Sequence, residues 1–329
     1  MTRTAVILND TSTRYHHGCA RVMRLLVDGL ERHGLDVTAR SPARNDWTRD
    51  EAFLREMKRA SLIVVNGEGT LHHGRAAGAA LLKVADHPAR GQTPLALVNA
   101  LWEHNPDEWG ARLRRFDLIA ARDSASAEAM RLASGRDVRW LPDLSLSAPA
   151  EVSPTRRNGV IVGDSVKPAP RRVLGAAAAR LPQARLVPTK TLRSKIWSAA
   201  PARAALASAW YGRLRLPPLE MPRDEAAYLE RIAAARLHLT GRFHAVCLSM
   251  LTETPFLALA SNASKIERLL SDSGLGLDRL IALDEADDLP ARRDFEPRET
   301  AAIRAFLETA QTRAEALFSD LAALAKARR

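Results

Sequence analysis

Cysteine is scarce: the 329-residue chain has two, Cys19 and Cys247, far apart and each inside an apolar segment. Two such thiols read as buried and reduced, which excludes a disulfide-stapled scaffold and suits a reducing compartment. Long apolar runs are missing too. The opening Met1–Asp10 holds only the four-residue run Ala5–Leu8, too short for the core of a secretory signal, and no segment approaches the ~20 apolar residues of a membrane span. Zinc-finger spacing, RNA-binding motifs and runs of five basic residues are absent, so nucleic acid is not an expected partner. Acids are in the minority: 38 Asp and Glu against 49 Lys and Arg leave a net charge of +11, a field that favours anionic partners. The expectation is a cytoplasmic protein, with peripheral contact at the inner face of the membrane left open.

What is present is ordinary globular composition, 46% hydrophobic and 26% charged, in a chain long enough for two domains, each with its own core. Short apolar runs alternate with helical patterns, as in βαβ units around a parallel sheet. Strands are expected at 5–8, 37–39, 62–65, 95–98, 118–121 and 138–141. The Pro-containing stretch 147–158 reads as a linker. The pattern then restarts with strands at 159–162, 184–187, 237–240 and 255–260, interrupted by a less regular basic segment, 190–221. The expected fold class is α/β: two Rossmann-like domains facing a cleft (GT-B-like), with C-terminal helices. Residues 1–150 would form the N-terminal domain, 151–296 the C-terminal domain, and 297–329 a helical segment packing across both.

Chemistry concentrates at strand ends. The stretch Leu239–Asn262 sets a cation, Arg242, and an imidazole, His244, between two apolar runs, at the sheet edge where α/β proteins bind ligands. Because Gly241-Arg-Phe-His244 follows a strand and opens a helix, amides, guanidinium and imidazole can converge on one anion. The alternative for Arg242 is a pairing with a structural carboxylate. Arg122 likewise ends an apolar strand, with a salt bridge to Asp123 or Asp143 as its alternative, beside a helix that Ser124 or Ser126 would cap. Gly67-Glu-Gly69 makes a tight turn but lacks the third glycine of a dinucleotide fingerprint. Glu68 can meet hydroxyls, act as a base or point to solvent. His16-His17 and His72-His73 raise a metal site, but adjacent histidines seldom share an ion without a fixed carboxylate or Cys partner, so none is expected.

In this order, the Gly18-Cys19 loop, Asn66-Gly-Glu-Gly-Thr70, Ala121-Arg-Asp-Ser-Ala-Ser126, Leu141-Pro-Asp143 and Thr240-Gly-Arg-Phe-His-Ala245 with Thr254-Pro255 and Lys265, the chain resembles the polysaccharide pyruvyl transferase family. Its members move the enolpyruvyl unit of phosphoenolpyruvate onto a sugar as a pyruvate ketal. The resemblance implies a transferase without metal or cofactor, phosphoenolpyruvate being a co-substrate. It implies His244 as catalytic and Arg242, Phe243, Arg122 and Lys265 as donor-binding; Glu68, where the chain departs from the family, is a second catalytic candidate on its own chemistry. Asn9, Asp10, His16, His17, Gly67 and Gly69 would bind the acceptor, a cell-envelope or exopolysaccharide sugar, lipid-linked or free. Two departures stand out: Glu68 replaces a glycine of the family's usual Gly-Gly-Gly, and His16-His17-Gly18-Cys19 occupies a loop that commonly carries Asn followed by Gly-Asp.

Sequence alone does not decide whether His244 acts as acid or base, or what the oligomeric state is. The basic and aromatic segment from Arg193-Ser-Lys-Ile-Trp197 to Trp210-Tyr-Gly-Arg-Leu-Arg215 reads either as a membrane-facing surface or as a helical cover over the second domain. Rival functions are a GT-B glycosyltransferase using a nucleotide-activated, for instance CMP-linked acidic, sugar, and a non-catalytic binding protein.

Overall fold

The computed structural model describes residues 3–153, 156–192, 199–260, 264–282 and 293–326. The chain divides into two compact units, the first made of Met1–Arg14, Val22–Ser147 and Glu308–Arg329, the second of Tyr15–Arg21 and Ala148–Leu307. Strands are β1 (Arg3–Asp10), β2 (Leu35–Pro42), β3 (Leu62–Asn66), β4 (Leu95–Ala100), β5 (Leu118–Ala121), β6 (Arg139–Trp140), β7 (Val160–Ser165), β8 (Ala184–Leu186), β9 (Leu237–Gly241), β10 (Phe256–Leu259) and β11 (Leu280–Ile281). Helices are α1 (His17–Arg32), α2 (Glu51–Arg59), α3 (Ala76–Leu82), α4 (Trp109–Leu113), α5 (Ser124–Ser134), α6 (Pro168–Arg180), α7 (Ala200–Tyr211), α8 (Glu225–Ala233), α9 (Phe243–Leu251), α10 (Lys265–Asp272) and α11 (Pro297–Lys326).

The first unit carries a six-stranded sheet in the order β2-β1-β3-β4-β5-β6, and all its pairings are parallel. Strands β3, β4 and β5 are buried at every position. Helices cover both faces of such a sheet, which is why these strands read as unbroken apolar runs rather than as alternation. One face packs α2 to α5 through Phe53, Met57, Leu82, Trp109, Leu113 and Met130. The other packs α1 and the second half of α11 through Val22, Leu26, Leu30, Leu317, Phe318 and Leu321. Gly29 of α1 lies so close to the Phe318 ring that a Cβ there would sit 2.3 Å from it.

The second unit has five parallel strands in the order β11-β10-β9-β7-β8. Its core joins α6, α7 and the sheet through Leu174, Ala178, Tyr211, Leu239 and Leu257. Three features differ from expectation. The segment read as less regular contains α7, with Tyr211 fully buried and the Arg171 guanidinium over the Trp210 ring at 3.9 Å, so this part is a helical cover; residues 193–198 lie outside the described ones. A fifth strand, β11, is only two residues long and gives no periodic signal. The C-terminal segment is one continuous helix, α11, instead of several, and its basic end at Arg328 and Arg329 lies outside the described residues. Among the described residues no helix is long and apolar enough to cross a membrane.

One buried imidazole sets a pH dependence. His238 of β9 is fully buried, its Nδ1 bonded to Ser249 Oγ at 2.8 Å, and burial pushes its pKa down to about 3. The folded chain therefore keeps His238 neutral where the unfolded chain takes up a proton. Stability from this group is complete above the ordinary value of 6.5 and is lost as pH falls below it. Thermal unfolding should show a loss on the order of 2 kcal/mol from this group between pH 6.5 and 5, and His238→Asn should make the slope shallower, leaving the part that the buried His17 contributes. A slope unchanged by the substitution would contradict the assignment.

Candidate functional site

Both sheets reverse their winding direction once, between β1 and β3 and between β7 and β9. Ligands of open α/β sheets bind at the carboxyl ends of strands flanking such a point, and both places here are lined with polar side chains.

In the second unit, β7 ends in Gly163-Asp164-Ser165 and β9 in Thr240-Gly241. Arg242, between β9 and α9, directs Nε and Nη2 onto Asp164 Oδ2, with the Nε contact at 3.0 Å. Asp164 is fully buried and also accepts the Thr189 backbone N–H at 3.0 Å. The Thr189 hydroxyl meets the Tyr228 phenol at 2.9 Å, and the Tyr228 ring stacks on His17 with centroids 4.6 Å apart. Burial raises the Tyr228 pKa, so this phenol stays protonated.

The segment Tyr15–Arg21 brings the start of α1 into this unit. His17 N–H donates to Thr189 O at 3.1 Å and His16 pairs with Lys190 as an antiparallel bridge. The His16 ring meets His244 edge-on at 5.3 Å. Donor atoms of His16, Cys19 and His244 all lie within 4.8 Å of one another. Gly18 permits this approach: a Cβ on it would sit 2.2 Å from His244 Cβ. Behind them, Arg21 is buried and donates to Glu225 Oε1 at 2.7 Å and to Ala148 O at 2.6 Å. His17 is buried, and its Nε2 has no hydrogen-bond partner among the described residues. Burial pulls its pKa down to about 4, although Asp224, Glu225 and Asp164 act in the opposite direction. It is neutral at pH 7.

In the first unit, Asn9, the last residue but one of β1, has a left-handed φ of 64° and donates from Nδ2 to Asn66 O at 2.7 Å and Thr70 Oγ1 at 2.9 Å. Glu68 is buried and accepts from the Thr11 hydroxyl at 2.5 Å. Its solvent-pointing alternative is therefore corrected: the turn folds the carboxylate inward because Asn66 Oδ1 takes its N–H at 3.2 Å. Gly67 is required by the chain, since a Cβ would lie 2.6 Å from Ala100 Cα, and Gly69 adopts a φ of 64°. Asp10 turns back onto its own loop, accepting from Ser12 N at 2.9 Å and Ser12 Oγ at 2.6 Å. Arg122, buried at the end of β5, donates to Asp143 Oδ2 at 3.4 Å. The α5 cap is Asp123, whose side chain accepts from Ser126 N at 2.7 Å; neither Ser124 nor Ser126 is the cap.

The structure thus divides the residues expected to bind the acceptor. Asn9, Asp10, Gly67, Glu68 and Gly69 gather at the β1/β3 point, with Arg122 in the same unit, whereas His16 and His17 stand with Arg242, Phe243 and His244. Lys265 opens α10 in the second unit. Sequence reasoning missed Asp164, Thr189, Tyr228 and Thr11. Only Asp164 carried a signal, as an acid closing an apolar strand. Among the described residues, two sets offer metal donors: His16, Cys19 and His244 in the second unit, and His73, Glu103 and His104 in the first.

Two doubly wound units, each with a polar set at its switch point, define an α/β enzyme of the GT-B-like class. A family model for polysaccharide pyruvyl transferase matches residues 16–262, and the chain belongs to that family, which makes it a transferase. No curated protein sequence matches it. Solved structures share the fold at low identity. A protein assigned as a UDP-N-acetylglucosamine 2-epimerase from Listeria monocytogenes has a TM-score of 0.57 and 12% identity, over 96% of this chain and 94% of its own. The UDP-GlcNAc 2-epimerase from Neisseria meningitidis bound to UDP-GlcNAc has 0.54 and 8%, over 97% and 98%. The UDP-GlcNAc 2-epimerase from Methanocaldococcus jannaschii has 0.53 and 11%, over 92% and 98%.

Gly18→Ala should be destabilising by about 1–3 kcal/mol, as overpacking at a rigid contact is, because the backbone of α1 must retreat from His244. An unfolding midpoint equal to that of the unmodified chain would show that this approach is not tight.

Proposed function

We propose that the protein transfers the enolpyruvyl group of phosphoenolpyruvate to a cell-envelope or exopolysaccharide sugar, forming a pyruvate ketal, in the cytoplasm. The observation that carries this reading is the set at the β7/β9 switch point: Arg242 and His244 at the start of α9, beside His16 and the buried Nε2 of His17. A buried polar atom without a protein partner calls for a ligand or water, and a guanidinium at a helix N-terminus favours an anion. Phosphoenolpyruvate offers a carboxylate and a phosphate, and Asp164 holds the Arg242 guanidinium in place to meet one of them.

His244 then acts on the proton inventory. As imidazolium it gives a proton to C3 of phosphoenolpyruvate, leaving C2 cationic. One sugar hydroxyl adds to C2 and loses its proton to a base; the C2–O bond to phosphate breaks, and a second hydroxyl closes the ketal, releasing another proton. In the first unit, Glu68, buried against Thr11, together with Asn9 and the Gly67–Gly69 turn, is our candidate set for meeting hydroxyls of a sugar. Lys265, which opens α10 in the same unit as His244, is the further cation we assign to the donor.

Incubation with phosphoenolpyruvate and a panel of lipid-linked and free glycosides should release phosphate only in the presence of an acceptor. His244→Ala should slow turnover by about 10²–10⁴-fold, the range of general acid–base catalysis, and Arg242→Lys should raise the KM for phosphoenolpyruvate. Thermal stabilisation by CMP or UDP with none by phosphoenolpyruvate would replace this reading with a nucleotide-sugar transferase.

A further inference from the structure

The pair His72-His73 and the loop after β4 are not used by the transfer chemistry, yet they meet in the first unit. The loop after β3 and the loop after β4 are stitched together along their backbones. His72 and Glu103 pair as a parallel bridge, and His73 N–H donates to Glu103 O at 2.8 Å. Asn105 adds a clamp from the other side, donating from Nδ2 to Leu71 O at 2.7 Å and accepting from Gly74 N at 3.3 Å.

This stitching fixes three donor groups. One atom each from His73, Glu103 and His104 lies within 4.8 Å of the others, the span of ligands around a single ion. Glu103 Oε1 is 3.7 Å from His104 Nε2, and the His73 and His104 rings are 5.2 Å apart. The Glu103 side chain is buried and both histidines reach solvent, so an ion has an entry path and a carboxylate already stripped of most of its water. His73 and His104 also hold left-handed backbones, φ 57° and 49°, conformations that cost an L-residue of this size free energy and gather where side-chain placement matters.

The neighbour His72 supplies the support a ligating imidazole needs. It is buried, and its Nδ1 lies 3.0 Å from His73 Nδ1. When His73 donates in that bond, its Nε2 carries the lone pair, which is how an outer partner orients a metal-binding histidine. The fixed carboxylate that adjacent histidines ordinarily lack is therefore Glu103, thirty residues further along the chain.

We propose that His73, Glu103 and His104 bind one first-row divalent transition-metal ion, zinc in the first instance. Two imidazoles and one carboxylate suit zinc, cobalt or nickel over magnesium or calcium, which prefer all-oxygen sites. Three protein ligands leave a coordination position open to water or to a hydroxyl. The site lies at the carboxyl edge of β3 and β4, next to the Gly67–Gly69 turn, and ties two loops of the first unit.

Chelator-treated full-length protein should be titrated with Zn2+ by calorimetry and with Co2+ by absorption spectroscopy. One ion per chain is expected, with a Co2+ spectrum showing d–d bands and no thiolate charge-transfer band. His104→Ala, a change to an exposed side chain, should leave the fold intact and weaken binding by at least about tenfold, the smallest loss typical of disturbing a metal site; Cys19→Ser should bind as the unmodified chain does. Absence of binding would overturn the proposal. So would binding that survives His104→Ala, or a thiolate band that disappears in Cys19→Ser, which would place the ion at His16, Cys19 and His244.

Discussion

The ion pair between Arg242 and Asp164 is the interaction on which the rest of the second unit's polar architecture depends. Burying a carboxylate without a cation costs several kcal/mol, and removing one member of a buried pair leaves the other uncompensated. Asp164 is fully buried at the end of β7, so the guanidinium that satisfies it must come from the adjacent parallel strand. Parallel pairing of β7 with β9, with Ser165 opposite Gly241, puts Arg242 in reach. The two glycines of this junction follow from the same requirement: a Cβ on Gly241 would meet Ser165 Cβ at 2.6 Å, and one on Gly163 would meet Thr240 Oγ1 at 2.8 Å. From Asp164 the order spreads through Thr189 to Tyr228 and His17, a chain of bonds and one ring stack that fixes where α1 begins.

Placement at the switch point also reconciles two roles that compete at Arg242. A structural partner and a ligand-binding cation were alternatives in the sequence, and the geometry realises the first. It does not remove the second. A guanidinium has a planar fork of five donors, and the contact with Asp164 uses Nε and Nη2. The partner carboxylate fixes the plane of the fork, which is what recognition of a carboxylate or phosphate requires. His17 shows the complementary case. Desolvation lowers its pKa to about 4, so that it stands as a neutral ring against Tyr228 at pH 7.

Much of this fold was legible because parallel strands buried on both faces leave apolar runs of four to six residues, and β3, β4, β5 and β7 appear nearly where those runs stand. Short edge strands bury too little to leave a pattern: β6 and β11 are two residues each. The strand-to-helix step at Gly241–Phe243 was legible because polar residues interrupt a buried sequence there. Its partner was not, since Asp164 is 78 residues away and only strand order brings it close. The placement of His16 and His17 was hidden differently. The seven residues Tyr15–Arg21 belong to the second unit, between two stretches of the first, and no composition shift marks a segment so short. Glu103 was invisible as a candidate because nothing in a single Glu-His step after an apolar strand distinguishes it from a solvated loop.

The packing of α11 has a bearing on how the protein is made. Leu317, Phe318 and Leu321 form part of the same buried face as Val22, Leu26 and Leu30, with Gly29 seated against the Phe318 ring. Translation delivers one side of that face roughly three hundred residues before the other. The second unit's sheet, assembled from residues 160–281, has all its strands available sooner. The first unit, although its strands are encoded first, is the one whose core stays incomplete until residues 314–325 have been made, and a nascent chain must keep the apolar side of α1 and its sheet from associating wrongly for most of that time.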